Sequence, residues 1–142
     1  MTFLLDVNVL IALLDSHHVF HGTAHDWLTR DQKRWATCPI TENGVIRIMG
    51  HRRYPEGPGS PARAAILLTG LRTAAGHEFW PDSVSLVDNP GIIPDLIVTA
   101  AQVTDTYLLS LAVSHQAKLA TFDTRLSSAA VVGGAEALQL ID

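Results

Sequence analysis

Twelve residues near the start of the chain, Phe3 to Leu14, place the strongest constraint on the fold. Phe3-Leu4-Leu5 is a continuous apolar run, long enough for a buried strand. Apolar side chains then return at Val9, Leu10, Leu13 and Leu14, the spacing of one helix face. Asp6 stands where the period changes. A strand that passes directly into a helix opens a βα unit. In a parallel sheet that junction lies at the carboxyl end of the strand, where ligands bind. The Asp6 carboxylate can cap the helix by accepting from its unpaired N–H groups, or it can hold a metal ion. One acid alone does not decide between these uses.

The alternation continues along the chain. A second helix is expected from about His18 to Thr29, with Val19, Phe20, Ala24, Trp27 and Leu28 as its buried stripe. Trp35-Ala36-Thr37 reads as a strand ended by Pro39, and Thr41 as the cap of a third helix from Glu42 to Gly50. Tyr54 to Gly59 is a loop by composition. Ser60 and Pro61 then start a fourth helix, expected to reach Ala75 and stop at Gly76. Glu78-Phe79-Trp80 reads as a third strand. Asp82 to Val103 is poorly patterned, with a turn at Asn89-Pro90-Gly91 and some helix between Ile92 and Ala101, broken near Pro94. Thr104 opens a helix through about His115, Lys118 to Thr121 is a strand, Gly133-Gly134 a turn, and Ala137 to Ile141 the last strand. Strands alternating with helices predict an α/β protein, with a central parallel sheet of short strands covered on both faces. With no linker or repeat in sight, residues 1–142 are expected to form one domain.

Composition narrows the classes. The chain is 47% hydrophobic and 17% charged, ample for a core and too apolar for a disordered chain. Cys38 is the single cysteine, so an internal disulfide is excluded and a buried thiol in a reducing compartment is the expectation. No signal peptide is evident, and no apolar run approaches the roughly 18 residues that span a bilayer. A soluble cytoplasmic protein is therefore expected, with no membrane partner. The net charge is −4, but eight of the ten basic residues fall between Arg30 and Arg72, while Asp82, Asp88, Asp95, Asp105 and Asp123 crowd the second half. Such asymmetry permits a basic edge beside an acidic pocket. Trp27, Trp35 and Trp80 sit in apolar context and read as core.

Four acids fall in comparable places. Glu42 shares a helix face with Val45, Ile46 and Met49, and Asp105 lies on the stripe of Leu108, Leu109 and Ala112 in the first turn of its helix. Asp123 directly follows the strand Leu119-Ala120-Thr121-Phe122, as Asp6 follows the first strand. Each could serve its local turn or helix start, worth about 0.3–1 kcal/mol. Two helix starts and two strand ends of a parallel sheet can also share one rim. Four carboxylates gathered there would repel unless a hard divalent cation with oxygen ligands compensated them.

These residues carry a resemblance. Leu5-Asp6-Val7-Asn8-Val9-Leu10, Thr41-Glu42, Thr104-Asp105-Thr106-Tyr107-Leu108-Leu109 and Leu119-Ala120-Thr121-Phe122-Asp123, taken in order, resemble the PIN-domain ribonucleases and, within them, the VapC toxins of bacterial toxin–antitoxin pairs. The resemblance implies an α/β/α sandwich and RNA cleavage dependent on Mg²⁺ or Mn²⁺, leaving a 5′-phosphate and a 3′-hydroxyl. It further implies a homodimer and a cognate antitoxin protein. It places Asp6, Glu42, Asp105 and Asp123 as the catalytic quartet, with Asp6 and Asp105 as the main metal ligands. Glu42 and Asp123 would act through water or a second ion, and Asn8 and Thr104 as supporting polar residues.

Other features are weighed beside it. Arg47, Arg52 and Arg53 leave the third helix and are either a solvated surface or contacts to substrate phosphate. His17, His21 and His25 have metal-compatible spacing but lack a zinc-protease pattern, and are expected to face solvent. Single-stranded or looped RNA suits a recessed acidic pocket. Two rivals remain. One is a haloacid-dehalogenase-type phosphatase, whose second Asp is here Asn8; the other is a catalytically silent PIN-like binding module.

Overall fold

The computed structural model describes all of residues 1–142. Five strands form one parallel sheet: β1 (Thr2–Leu5), β2 (Arg34–Thr37), β3 (His77–Phe79), β4 (Lys118–Thr121) and β5 (Leu138–Leu140), in the order β3-β2-β1-β4-β5. β1 is central, with Leu4 opposite Ala36 of β2 and Leu119 of β4. Six helices cover the sheet: α1 (Val7–Leu14), α2 (His21–Thr29), α3 (Pro39–Met49), α4 (Pro61–Leu71), α5 (Gln102–Ser114) and α6 (Gly134–Ala137).

Strand alternation explains the two cores. Leu5, Trp35 and Ala120 point to the side of α1 to α4, where Val9, Leu10, Leu13, Trp27, Val45 and Leu68 close around them. Their neighbours Leu4, Ala36 and Leu119 point the other way, to Leu108, Leu109 and Ala112 of α5 and Ala137 of α6. Strands buried on both faces need the continuous apolar runs that the sequence carries. Leu10 is fully buried, so truncating it to Ala should cost about 2–5 kcal/mol.

Several boundaries differ from the sequence expectation. α2 starts at His21 rather than His18, because two successive turns consume the backbone first: His18 N–H donates to Asp15 O, and His21 N–H to His18 O. Val19 is consequently 84% exposed and Phe20 42%, not part of a buried stripe; Phe20 stacks on Phe122 instead, at 4.6 Å. His21 and His25 do not point freely into solvent. Their rings bond to Ala12 O (2.8 Å) and Leu13 O (3.0 Å), carbonyls that the end of α1 leaves without helical partners.

α3 begins at Pro39 with Cys38 as its cap. Thr41, three residues in, accepts the Cys38 N–H at 3.0 Å rather than opening the helix itself. α4 stops at Leu71, short of Ala75. Gly76, at φ +86°, then passes so close to Lys33 O that a Cβ would stand 2.5 Å from it. α5 begins at Gln102, whose side-chain oxygen accepts the Val98 and Thr99 N–H groups, so Thr104 lies within its first turn. The short α6, entered through Gly133 at φ +77°, falls where a turn was expected. The unpatterned segment 82–103 holds one 3-10 turn at Pro94–Leu96 and a bridge from Ile92 to Val131. It is tied to α5 by Tyr107 Oη donating to Asp82 and Asn89 Nδ2 donating to Ser110. No helix is long and apolar enough to cross a membrane.

Candidate active site

The carboxyl ends of β1 and β4 are adjacent, and the chain places Asp6 and Asp123 just beyond them. Asp6 continues the ladder, its N–H donating to Ala120 O at 3.0 Å. It also caps α1, with Oδ1 accepting the Val7 N–H at 2.8 Å. Its second oxygen accepts the Thr121 hydroxyl at 2.8 Å. Thr121 is fully buried and is the hub of the site. While donating to Asp6, its oxygen accepts from Asn8 Nδ2 (3.1 Å) and from the Asp123 N–H (3.1 Å), which fills a hydroxyl's capacity. Asn8 Oδ1 in turn accepts the Phe122 N–H at 3.3 Å, so this side chain at the start of α1 grips the end of β4 at two points.

Asp105 completes the group from the first turn of α5 on the other face of the sheet. Burial pushes its pKa up from 3.8 to about 6, with the charges of Asp6 and Asp123 adding to the rise. Burial also raises Asp6, against the lowering effect of its bonds from Thr121 and Val7; Asp123 raises it further. Asp105 therefore senses both of the others, and Asp6 senses Asp123. No three acidic, histidine or cysteine side chains stand close enough to enclose an ion directly. The donor set still fits a hard divalent cation such as Mg²⁺, which takes one or two carboxylates and keeps several waters.

The fourth acid, Glu42, stands at the end of β2, the strand next to β1. Its Oε2 accepts the buried Thr37 hydroxyl at 2.6 Å, and Arg72 Nη1 approaches the same oxygen at 3.3 Å. His77 Nε2 is 2.8 Å from Thr37 Oγ1. Asp6, Asp105 and Asp123 thus lie within each other's electrostatic reach, while Glu42, on the neighbouring strand end, is held by Thr37 and Arg72.

Thr104 is exposed and its side chain makes no hydrogen bond within the protein. Arg47, Arg52 and Arg53 are exposed, with Arg47 and Arg53 lining an open groove beside His51 and Tyr54 at the far end of α3. Cys38 is fully buried, and burial pushes its thiol up. Sequence reading missed Thr121 and Thr37. Their one signal was a hydroxyl at the last position of a strand, directly after two apolar residues.

A covered parallel sheet with carboxylates collected at its carboxyl rim defines the class of fold, and the model of the PIN domain matches residues 3–132. Ribonuclease VapC44 of Mycobacterium tuberculosis H37Rv is 46% identical over 134 residues, covering 94% of each chain. Ribonuclease VapC39 of the same strain is 42% identical over 139 residues, covering 97% of this chain and all of its own. Ribonuclease VapC29 is 40% identical over 127 residues, covering 89% and 90%. The chain belongs to the PIN-domain family and, within it, to the VapC group. The fold agrees with the crystal structure of VapBC2 from Rickettsia felis bound to a promoter DNA fragment. There the TM-score is 0.65 over the full length of both chains, at 13% identity.

Proposed function

We propose that this chain is a single PIN domain over residues 1–142 and a divalent-metal-dependent endoribonuclease, the toxin of a toxin–antitoxin pair. The observation that carries the reading is the trio Asp6, Asp105 and Asp123, with Asp105 raised to about 6 by burial and by the other two. The ribonucleases of the VapC group, 40–46% identical over most of the chain, support the choice of RNA as substrate.

Asp6 and Asp105 hold the ion in this reading, and Asp123 orients a water or a second ion. Mg²⁺ or Mn²⁺, when bound, would lower the pKa of the attacking water and offset charge at phosphorus. Thr121 fixes the Asp6 carboxylate and the Asp123 backbone, and Asn8 braces Thr121 and the Phe122 backbone. Thr104 offers an exposed hydroxyl beside Asp105, and Arg47, Arg52 and Arg53 extend a basic edge for the strand. Asn8 donates its amide to Thr121 and cannot serve as an acid–base partner to Asp6, which weighs against the phosphatase. A cytoplasmic homodimer neutralised by its antitoxin, whose basic arm fills the acidic pocket, completes the proposal.

Two experiments test it. Purified protein should cleave single-stranded or looped RNA with Mg²⁺ or Mn²⁺ and stop on chelation. Cleavage that survives chelation refutes the metal dependence, and no cleavage under any condition refutes the enzyme and leaves the silent module. Co-expression with the neighbouring gene of the native operon should yield a stable inactive complex.

A further inference from the structure

Glu42 and Arg72 form an ion pair that the trio does not share, and its geometry leaves something over. The guanidinium meets Glu42 through Nη1 alone, at 3.3 and 3.4 Å. It lies 5.3 Å over the ring of Phe79, which is itself 44% exposed. Its Nη2 and Nε make no hydrogen bond to the protein, and the side chain is 40% exposed. An arginine held by one edge and by a ring face, with its other donors open, is arranged for a second anion.

The anchor is built from below. Thr37 has one hydroxyl proton and gives it to Glu42, so the nitrogen of His77 that faces Thr37 must itself be the donor. The chain of bonds runs His77 to Thr37 to Glu42, and holds the carboxylate that holds Arg72. Burial and the Arg72 charge keep the His77 pKa below its ordinary 6.5, so the cation of this cluster is Arg72. Glu42 reduces the net charge offered to an anion, yet it also removes much of the freedom a lone surface arginine would lose on binding.

Position gives the anion its identity. β2, which ends in Thr37, is the immediate neighbour of β1, which leads to Asp6. Adjacent strands are about 4.8 Å apart. A strand of nucleic acid with one phosphate at the aspartates runs past this rim and needs positive charge beside it. We propose that Arg72 binds a backbone phosphate of the RNA next to the one being cleaved, with Glu42, Thr37 and Phe79 holding its guanidinium in place. This assignment rests on the reading of the chain as an RNA-cutting enzyme.

The test is binding of a short single-stranded RNA to the full chain, with divalent metal chelated, followed by fluorescence anisotropy at several salt concentrations. Arg72→Gln should weaken binding roughly tenfold at low salt. It should also make the slope of log K against log salt shallower by about 0.7, the share of one phosphate on a single strand. Arg72→Lys should restore the slope but only part of the affinity, because the charge returns without the fork. Both variants should melt within about 3 °C of the parent, since an exposed pair contributes little to stability. Equal slopes for parent and Arg72→Gln overturn the assignment, as does loss of a protein partner's binding with RNA binding unchanged. A parent that binds no RNA overturns it together with the enzyme reading. A parent that binds RNA but does not cut it once Mg²⁺ or Mn²⁺ is restored, while Arg72→Gln flattens the slope, sinks the enzyme reading and leaves Arg72 a phosphate contact.

Discussion

Two groups of buried and half-buried carboxylate sit on one rim and solve the same problem in opposite ways. Around Asp6, Asp105 and Asp123 relief comes from neutral donors, the Thr121 hydroxyl and backbone N–H groups, and Asp105 responds by rising to about 6. Around Glu42 the relief is a cation, Arg72, helped by the Thr37 hydroxyl. The first cluster has negative charge left for an ion to bind. The second has its charge compensated and leaves donors open on the arginine. An acid on an inward helix stripe is thus defined by its neighbour, not by its place on the helix.

The largest expected effect falls on the first cluster. Asp105→Asn keeps the shape and removes a charge, and should lower metal-dependent RNA cleavage by at least about 100-fold, read in a gel assay. Without metal the variant should melt slightly higher than the parent, because one of three repelling groups is gone. Added Mn²⁺ should then raise the parent's melting temperature more than the variant's. Were Asp105 only a helix-start residue, the variant would stay active and melt lower.

Next comes Thr121→Val, which leaves the Asn8 amide, the Asp123 N–H and one Asp6 oxygen without their shared partner. The expected cost is about 1–3 kcal/mol in urea denaturation. Thr121→Ser should recover most of it, and failure of that rescue would demote the hydroxyl to mere packing.

A smaller effect is that of pH on the metal-free protein. Asp105 binds its proton in the folded state with a pKa of about 6, against its ordinary 3.8. Between those values the folded chain holds more protons than the unfolded one. The stability from this group is therefore full below about 4 and is lost as pH rises through 6. Asp6, raised chiefly by burial, slopes the same way. Thermal melts from pH 4.5 to 7.5 should show a shallower decline in Asp105→Asn than in the parent. Identical declines would mean that neither burial nor the other two aspartates raise the Asp105 carboxyl.

The smallest effect is expected at Glu42. Glu42→Gln keeps the Thr37 bond and loosens Arg72, so turnover at saturating RNA should stay within about threefold of the parent, with any change falling on KM.

The sheet, its parallel sense and the strand-end and helix-start places of Asp6, Asp105 and Asp123 were legible because each is written locally: an apolar run, a change of period, an acid at the change. Glu42 carries the same local signature as Asp105, in the first turn of a helix and on an apolar face. What separates them is Arg72, thirty positions downstream and brought in by the packing of α4 on α3. No window on the chain contains that meeting. Thr121 was hidden for the same reason, since its partners Asp6 and Asn8 lie 115 and 113 residues away. Phe20 misled in the other direction: its spacing suits a helix stripe, but His18 and Asp15 form turns that keep it out of the helix.

Calorimetric titration of Mn²⁺ into the parent, Asp105→Asn and Glu42→Gln tests most directly whether the rim holds two sites of different kind. The account predicts that binding is lost or weakened at least about tenfold in Asp105→Asn and is unchanged in Glu42→Gln. Equal loss in both variants would contradict it and return Glu42 to the metal site.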